Sequence, residues 1–404
     1  MKKKIFLAYV YSSKNAGDLA ICVGAIDLLI KAEYQVFLLS KYDKKDEEYF
    51  SSREFYRQRY GTDLVFLEAP FTLNREGSAF EKLINNFKGI LVYIGLGNKR
   101  TRIIKKYIKE SDFVIFNGGN LLRCASLIDY ARLLALYYPI KLGLSLKKPY
   151  LIFPQSSAKI TGLGRRLLQR FITEAKSVFI RERQSYDKLK SRFNLKNLIS
   201  TIDLAFFINK SAVINNNKRN DVIAFTLRAH TIGDIAEFDD REKEKIYNSI
   251  FKFLKTEKYQ KFEIVFVVQT RKDLEFTKII IERLNKEIPS LNISLYESYD
   301  PLKLLNFYNE IQLLVGMRLH SIILASSIGT PCYGLFYKEW GLKNPGLMEH
   351  LNMPYTMMDE DAEIKTGEVD YLLENAEKLS RDLTDKVNIE EQKIISELYE
   401  QIGK

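Results

Sequence analysis

Short apolar runs alternate with longer amphipathic stretches along most of the chain, and this alternation restricts the fold more than any other feature. Runs such as Phe113–Phe116 and Glu263–Val268 are typical of buried strands. Stretches such as Arg100–Glu110 and Arg241–Lys255 repeat apolar residues at the helical period. Because strands that alternate with helices favour a parallel sheet covered on both faces, the chain is expected to be an α/β protein.

The length of 404 residues and one polar interruption predict two lobes. The run Asn215–Asp221 has no apolar period and directly precedes a new strand, so it is the best linker candidate. We predict an N-terminal lobe over 1–212, a C-terminal lobe over 221–370, and C-terminal helices over 371–404 that pack outside or cross back to the first lobe. Both lobes are expected to be doubly wound and Rossmann-like, with a ligand cleft between them.

The charge is divided unevenly along the chain. Residues 1–210 carry 37 Lys and Arg against 19 Asp and Glu, whereas residues 211–404 carry 25 against 32. The first half therefore has a net charge of +18 and the second half of −7. The basic half indicates an anionic partner, such as phosphate groups, an acidic lipid surface or an acidic polymer, although a solvated Lys-rich surface explains it equally well.

Several classes of protein are excluded by composition. No run reaches the roughly 18 apolar residues of a membrane span. Cys22, Cys124 and Cys332 lie too far apart in sequence to suggest a disulfide framework or a CxxC metal site, which favours a reducing, cytoplasmic compartment. No cluster with metal-ligand spacing and no recognised nucleic-acid module is present, so neither a metal, another cofactor nor nucleic acid is expected.

Polar segments follow four strands of the first lobe. Asn15-Ala-Gly-Asp18 opens a helix, where Gly17 permits a tight turn and Asp18 is expected to cap the helix. The other three segments are Asn117-Gly-Gly-Asn120, Pro154-Gln-Ser-Ser157 and Arg181-Glu-Arg-Gln-Ser185. An ordinary loop without a binding role explains any one of these segments. Four such segments at strand ends favour one shared binding surface.

The second lobe carries cationic and amide side chains at its strand ends. Arg228 and Gln269 end two strands, and Val315-Gly-Met-Arg-Leu-His320 joins a third strand to a helix of small residues. Arg318 and His320 can converge on one ligand near the start of that helix. There the guanidinium can hold a phosphate or carboxylate, while the imidazole transfers a proton near neutral pH.

The order of these segments resembles the polysaccharide pyruvyl transferase family. The resemblance spans about residues 5–345 and is most specific at Gly-Met-Arg318-Leu-His320. The other matching segments are Asn-x-Gly-Asp18, Gly-Gly-Asn120, Pro-Gln-Ser156, Arg181-Glu-Arg-x-Ser, Asp203-Leu-Ala-Phe, Leu-Arg228, Gly-Thr-Pro331 and Tyr337-Lys338. The family resemblance implies two lobes like the glycosyltransferase-B fold and transfer of the enolpyruvyl carbon of phosphoenolpyruvate onto two hydroxyls of one sugar.

The resemblance also implies roles for individual residues. His320 is the proposed catalytic acid, and the donor site is expected to comprise Arg318, Arg228, Gly316, Leu319 and Gln269. Acceptor hydroxyls are expected at Asn15, Asp18, Asn117, Gly118, Gly119, Asn120 and Gln155. Phosphoenolpyruvate would be a co-substrate and arginines would neutralise it.

Two other functions stay open at the level of the sequence. A nucleotide-sugar glycosyltransferase can share the same fold, because a fold does not fix a reaction. A basic module that binds nucleic acid or acidic membrane is the second alternative. Basic amphipathic stretches at Asn98–Lys109 and Gly164–Arg170 suit a lipid-linked glycan acceptor at the inner face of a membrane, or are simply solvated helix faces.

Overall fold

The computed structural model describes residues 2–11, 15–71, 79–124, 126–160, 162–193, 195–211, 213, 219–231, 236–341 and 343–403. For residues 79–83, 85, 86, 120, 121, 158, 159 and 163 it describes the backbone alone. The chain forms two compact units. Unit 1 contains the chain before Asn15, Ile21–Ile208 and the chain from Glu390 onward, whereas unit 2 contains Asn15–Ala20 and Asn209–Ile389. The predicted linker residues 215–218 lie outside the described residues.

Unit 1 contains an eight-stranded sheet in which all named pairs are parallel. The strand order is β3-β2-β1-β4-β6-β7-β8, and β5 pairs with β6. The strands are β1 Lys4–Val10, β2 Gln35–Ser40, β3 Val65–Leu67, β4 Phe113–Phe116, β5 Gly119–Cys124, β6 Tyr150–Ile160, β7 Val178–Ile180 and β8 Leu198–Ser200. The helices among them are α1 Ala16–Lys31, α2 Glu47–Tyr60, α3 Ala79–Tyr93, α4 Lys99–Glu110, α5 Leu127–Leu136, α6 Tyr138–Ser145, α7 Gly162–Glu174 and α8 Arg183–Phe193.

Unit 2 contains a six-stranded parallel sheet of order β11-β10-β9-β12-β13-β14. Its strands are β9 Asn220–Thr226, β10 Glu263–Val268, β11 Ile293–Glu297, β12 Ile311–Gly316, β13 Cys332–Phe336 and β14 Tyr355–Met357. Its helices are α9 Asp240–Leu254, α10 Leu274–Glu287, α11 Pro301–Glu310, α12 Leu319–Ser327, α13 Lys343–Leu351, α14 Thr366–Glu374 and α15 Ala376–Ile402, and α15 continues into unit 1. The prediction of two doubly wound α/β lobes is confirmed.

The central strands are hydrophobic along their length because helices cover both faces of the sheets. β4 and β13 are buried at every residue, and β1 is buried from Ile5 onward. Helices begin where the sequence provides a cap: Asn98 caps α4 and Asp239 caps α9 through their side chains. Because the paired strands of each sheet are parallel, their carboxyl ends, and the loops that follow them, lie at one edge of that sheet.

Two expected boundaries were wrong, and proline explains both. The apolar residues from Leu127 to Leu142 repeat at the helical period and predict one helix. The structure has two, because Pro139 lies in the first turn of α6 and cannot donate a helical hydrogen bond. The expected loop at Pro154-Gln-Ser-Ser157 is part of β6. β6 changes its partner there, from β4 at Ile152 to β5 at Gln155, so Pro154 occupies a break in the ladder.

Candidate functional site

The sheet of unit 2 has the strand order in which ligands bind beside the first strand. Numbered within the unit, its order is 3-2-1-4-5-6, and the chain reverses direction across the sheet between β9 and β12. Helices that leave these two strands toward opposite faces open a crevice at their carboxyl ends. The predicted donor residues Arg228, Gln269 and Arg318 follow β9, β10 and β12, so all of them lie at this edge.

The start of α12 supplies the centre of the site. Arg318 is the N-cap residue, and Leu319 and His320 lie half-buried in the first turn. Gly316 ends β12, and a Cβ there would lie 2.7 Å from Cγ1 of Ile322, so only glycine lets α12 pack this closely on the strand. The amide groups at the start of a helix favour an anion.

Arg318 forms a two-point ion pair with a carboxylate that the sequence did not single out. Its Nε donates to Oδ2 of Asp273 at 2.8 Å, and its Nη2 donates to Oδ1 at 2.5 Å. The Asp273 residue is only 2% exposed and the Arg318 side chain 12%. The guanidinium is therefore a fixed cation rather than a flexible surface group.

Arg228 is fixed by a different contact. Its guanidinium lies 4.5 Å from the ring centre of Trp340, and its Nη2 donates to the carbonyl of Thr231 at 2.7 Å. Trp340 stacks on Phe238 and donates through Nε1 to the carbonyl of His230 at 2.9 Å. A cation held over an indole ring keeps its charge and its orientation. The structure thus places both predicted anchor arginines on well-packed supports.

Two buried polar atoms lie at the same strand ends. Among the residues that the structure describes, Oε1 of Gln269 and Oγ1 of Thr226 have no hydrogen-bond partner. Thr226 ends β9 and Gln269 follows β10, which are neighbouring strands. Buried polar atoms are usually satisfied, so such a pair indicates where a ligand or water binds.

His320 packs against the first turn of α1. This turn lies within Asn15–Ala20, which belongs to unit 2, whereas the rest of α1 belongs to unit 1. A Cβ at Gly17 would lie 2.3 Å from Nδ1 of His320 and 2.7 Å from Cγ, so the imidazole occupies the space that a side chain would need. The helix is capped by Asn15, whose Oδ1 accepts from the amides of Gly17 at 2.9 Å and Asp18 at 3.3 Å. The expectation that Asp18 is the cap was wrong; Asp18 is exposed in the first turn.

The segment around Asn117 in unit 1 is built into the sheet. Asn117 is fully buried, and its Nδ2 donates to the carbonyl of Tyr9 at 3.1 Å. Tyr9 has φ +68°, a rare value for a bulky residue, so Asn117 supports an irregular point in β1. The amide of Gly118 donates to Oδ1 of Asn117, and the hydroxyl of Tyr11 donates to the carbonyl of Gly118. These contacts give Asn117 a structural role, while its acceptor role stays a prediction.

The remaining predicted acceptor residues of unit 1 lie close to Asn117, either in sequence or through strand pairing. Gln155 is fully buried and donates to the carbonyl of Asn117, while Gly119 has φ +137° and pairs with Gln155 between β5 and β6. A Cβ at Gly119 would lie 2.9 Å from the Tyr11 hydroxyl. The side chain of Asn120 lies outside the described part of the chain. The turn is thus tightly packed around its glycines.

Three of the matching segments meet in one buried ionic network in unit 1. Arg181 pairs with Asp203 and donates through Nε to Oγ of Ser156 at 2.7 Å. Ser156 donates in turn to Glu182, whose carboxylate also accepts from Ser185. Burial by itself lowers the pKa of Arg181, but Asp203 and Glu182 raise it above its ordinary value. The order Pro-Gln-Ser, Arg-Glu-Arg-x-Ser and Asp-Leu-Ala-Phe therefore encodes a structural network.

Two kinds of feature are missing from the ranges that the structure describes. In them, no group of three or more His, Cys, Asp and Glu side chains is arranged to hold a metal ion. Likewise, none of the helices in those ranges combines the length and apolarity that a membrane crossing requires. The three cysteines, all of them in described positions, are buried.

Comparison with known proteins identifies the family of this chain. The family model described as "Polysaccharide pyruvyl transferase" matches residues 15–339, which include Asn15, Arg228, Arg318 and His320. The chain belongs to the polysaccharide pyruvyl transferase family. Another similar protein is the amylovoran biosynthesis protein AmsJ of Erwinia amylovora, which is 22% identical over 99% of this chain and 100% of its own length.

Solved structures show that this pyruvyl transferase family member has a glycosyltransferase-B-like fold. A glycosyltransferase from Rickettsia africae ESF-5 matches with a TM-score of 0.59 and 14% identity, over 99% of this chain and 98% of that one. A UDP-GlcNAc 2-epimerase from Neisseria meningitidis, bound to UDP-GlcNAc, matches with a TM-score of 0.56 and 13% identity, over 98% and 100%. At these identities the likeness extends to the fold alone.

Three residues of this site escaped the sequence analysis or were interpreted as structural. Asp273 begins α10 after β10, where an Asp usually caps a helix, but its side chain binds Arg318 instead. Trp340, the only tryptophan of the chain, supports Arg228. A lone histidine such as His230 is expected from the sequence to be a core or surface residue without a role in the site, but its Nδ1 lies 3.9 Å from Oδ1 of Asp273. The position of Asp273 after a strand was the one signal that pointed to this edge.

Proposed function

We propose that this protein transfers a pyruvyl group from phosphoenolpyruvate to two hydroxyls of a sugar in a surface polysaccharide or its lipid-linked precursor, with release of phosphate. One observation carries the proposal: Arg318 and His320 open one helix at the β9–β12 strand ends, beside Arg228. Membership of the family supports pyruvyl transfer. The similarity to AmsJ, which is named for amylovoran biosynthesis, supports a polysaccharide acceptor.

The donor chemistry matches the charges at this edge. Phosphoenolpyruvate carries a carboxylate and a phosphate, and two arginines on fixed supports suit two anionic groups. We assign Arg318 and Arg228 to these groups, with Gly316, Leu319 and Gln269 lining the donor. Because the arginines are already oriented before the ligand binds, little reorganisation is needed when charge develops on the leaving phosphate.

The reaction requires one proton on carbon and two new carbon–oxygen bonds. His320 would protonate the methylene carbon of phosphoenolpyruvate while one sugar oxygen bonds to the adjacent carbon. The second sugar oxygen then bonds to the same carbon as the carbon–oxygen bond to phosphate breaks. One hydroxyl proton replaces the proton given by His320, and the other leaves with phosphate, so the product is a cyclic pyruvate ketal.

The reaction is tested with phosphoenolpyruvate and a panel of nitrophenyl glycosides that carry free diols. Pyruvyl transfer predicts phosphate release that depends on the glycoside and an equal amount of ketal detected by mass spectrometry. Turnover only with a nucleotide sugar as donor would instead identify the glycosyltransferase alternative, which the fold of the Rickettsia protein weakly favours.

The role of His320 is tested by substitution. His320→Ala should lower turnover at least ~100-fold without loss of folding, because a positioned general acid contributes about that factor. His350→Ala, which removes an exposed histidine on α13 in the same unit, is the matched control. Turnover within a factor of two of the unaltered protein in His320→Ala would remove the proposed acid.

We also propose that unit 1 contacts an anionic membrane surface, where a lipid-linked acceptor would be found. Seven of the thirteen exposed large hydrophobic residues of the described chain lie between residues 84 and 128: Ile84, Phe87, Ile94, Leu96, Ile103, Leu127 and Ile128. α3 packs on α5, and α5 packs on α7. The side chains of Arg165 and Arg166 on α7 are exposed. Apolar side chains flanked by cations suit an acidic bilayer surface.

A further inference from the structure

Asp273 is a buried carboxylate that connects the supports of both anchor arginines. On one side it holds Arg318 at two points. On the other, His230 Nδ1 lies 3.9 Å from Oδ1, and the carbonyl of His230 accepts from Trp340, the ring that carries Arg228. A single acidic side chain in the segment after β10 thus contacts residues that follow β9 and β12, the two strands that deliver the arginines.

The ion pair fixes the direction of the Arg318 guanidinium. Asp273 accepts one hydrogen bond from Nε and one from Nη2, along one edge of the group. Because a guanidinium is planar and rigid, two bonds along one edge hold all of its N–H groups at a constant angle. A guanidinium fixed in this way suits a phosphate or a carboxylate, which it binds with charge-assisted hydrogen bonds.

We propose that Asp273 is a positioning residue for the donor: it holds the Arg318 guanidinium in the orientation that binds phosphoenolpyruvate. This inference rests on the proposed function. Asp273 acts through Arg318 and touches no substrate, so its removal should weaken donor binding only while Arg318 is present. A carboxylate that merely stabilised the fold would instead change stability and donor binding independently of Arg318.

The experiment is a double-mutant cycle read by donor binding. Phosphoenolpyruvate alone is titrated into the full-length protein by calorimetry, and donor KM and kcat are measured in parallel with one active glycoside. Asp273→Asn should raise the donor Kd and KM roughly 10- to 100-fold, the scale expected when a binding group is misplaced by about 1 Å, and leave the glycoside KM unchanged. In an Arg318→Ala background the same substitution should change donor Kd less than about two-fold, because the interaction it supports is already absent.

A matched control is available in the same unit. Asp370 on α14 accepts from the hydroxyl of Tyr259 and pairs with Lys258, which precede β10 at the opposite end of that strand. Asp370→Asn removes a hydrogen-bonded carboxylate there and should leave the donor Kd unchanged. If Asp273→Asn does not fold, as judged by circular dichroism, Asp273→Glu keeps the charge but lengthens the side chain by one methylene, and the same cycle is run with it.

The outcomes separate this inference from the proposed function. An unaltered protein that does not bind phosphoenolpyruvate would overturn both. Binding by the unaltered protein, with an unchanged donor Kd in Asp273→Asn, would overturn the positioning role alone. Equal losses from Asp273→Asn with and without Arg318 would also overturn it, because they would show a structural contribution that does not pass through the guanidinium.

Discussion

At the scale of single residues, the position of the His320 imidazole depends on the absence of a side chain at Gly17. The imidazole fills the volume where a Cβ would stand, only 2.3 Å from Nδ1. Real Cβ contacts are never this short, so any larger residue at position 17 must displace His320 or the helix turn. The Asn-x-Gly-Asp segment, read from the sequence as an acceptor loop, therefore also fixes the proposed acid.

Gly17→Ala should lower kcat at least ~10-fold, because the imidazole must move from its position, while the protein still folds. Turnover is measured with phosphoenolpyruvate and an active glycoside. Gly346→Ala on α13 is the control, since nothing lies within 4 Å of the added methyl group there. Full turnover in Gly17→Ala would mean that the orientation of His320 against α1 has no part in the reaction.

The pairing of Arg318 with Asp273 shows what strand-end reasoning can and cannot find. The position of Arg318 after a strand was predicted from the sequence, whereas Asp273 was not singled out, although it also follows an apolar run, that of β10. The ion pair joins residues that are 45 positions apart. Whether an Asp at a helix start caps the helix or binds a neighbour depends on side-chain geometry that no local pattern carries.

At the scale of secondary-structure elements, the buried network of Arg181 and Asp203 links Ser156 within β6 and the end of β7 to the segment after β8. Arg181→Ala leaves a buried carboxylate without its cation and should destabilise the protein by about 3–5 kcal/mol. Urea unfolding, followed by circular dichroism, measures the loss. The double substitution Arg181→Met with Asp203→Leu should cost less than the single one, because it removes both charges of the buried pair and leaves neither of them without the other.

An exposed pair gives the comparison for this prediction. Arg283 bonds Glu244 at two points, 2.6 and 2.9 Å, but both side chains are more than one-third exposed. Arg283→Ala should therefore cost below ~1 kcal/mol. Equal losses at Arg181 and Arg283 would contradict a special role for the buried network.

Long or strongly apolar elements were predictable, and short or polar ones were not. The expected strands Phe113–Phe116 and Glu263–Val268 match β4 and β10 residue for residue. β8 and β14 have only three residues each, too few to show a period of two. β5 begins at Gly119, within a Gly-Gly pair that is typical of a loop, so it was missed for a different reason.

At the scale of the whole molecule, many buried tyrosines make stability sensitive to alkaline pH. Burial raises the pKa of Tyr34, Tyr138 and Tyr333 from 10.0 to about 12. Between these values the unfolded chain has lost the phenol protons and the native protein keeps them, so stability falls as pH rises from about 10 to 12. Below pH 10 these groups are protonated in both states and contribute no slope.

The absorbance of tyrosinate near 295 nm checks this prediction. A native protein titrated from pH 9 upward should ionise part of its tyrosines only above pH 11, together with loss of circular dichroism, whereas the protein in urea should ionise near pH 10. A native titration curve that overlays the curve in urea would contradict the protection of these phenols.

The division of charge between the halves of the chain gives the last prediction, because the basic half, residues 1–210, lies mostly in unit 1. Leu127 and Ile128 at the start of α5 are 76% and 66% exposed. In unit 2, Ile279 on α10 is 54% exposed in a half of the chain with net negative charge. If an acidic bilayer binds unit 1, apolar contact and positive charge must both contribute there, and neither should matter on α10.

Vesicles of phosphatidylglycerol and phosphatidylcholine, compared with phosphatidylcholine alone, test this by co-sedimentation at two salt concentrations. Leu127→Ser with Ile128→Ser should weaken binding to the acidic vesicles at least ~10-fold, because it removes the apolar contact with the bilayer surface. In a separate variant, Arg165→Glu with Arg166→Glu should also weaken this binding at least ~10-fold, since each cation near such a surface contributes about 1 kcal/mol. Ile279→Ser, and Lys278→Glu with Lys286→Glu, should change binding less than two-fold. If the protein bound neutral and acidic vesicles equally well, the positive charge of unit 1 would not contribute to membrane binding and would have another anionic partner. If the α10 variants weakened vesicle binding as much as the unit 1 variants, binding would depend on the net charge of the protein, and the proposed contact of unit 1 with the membrane would be wrong.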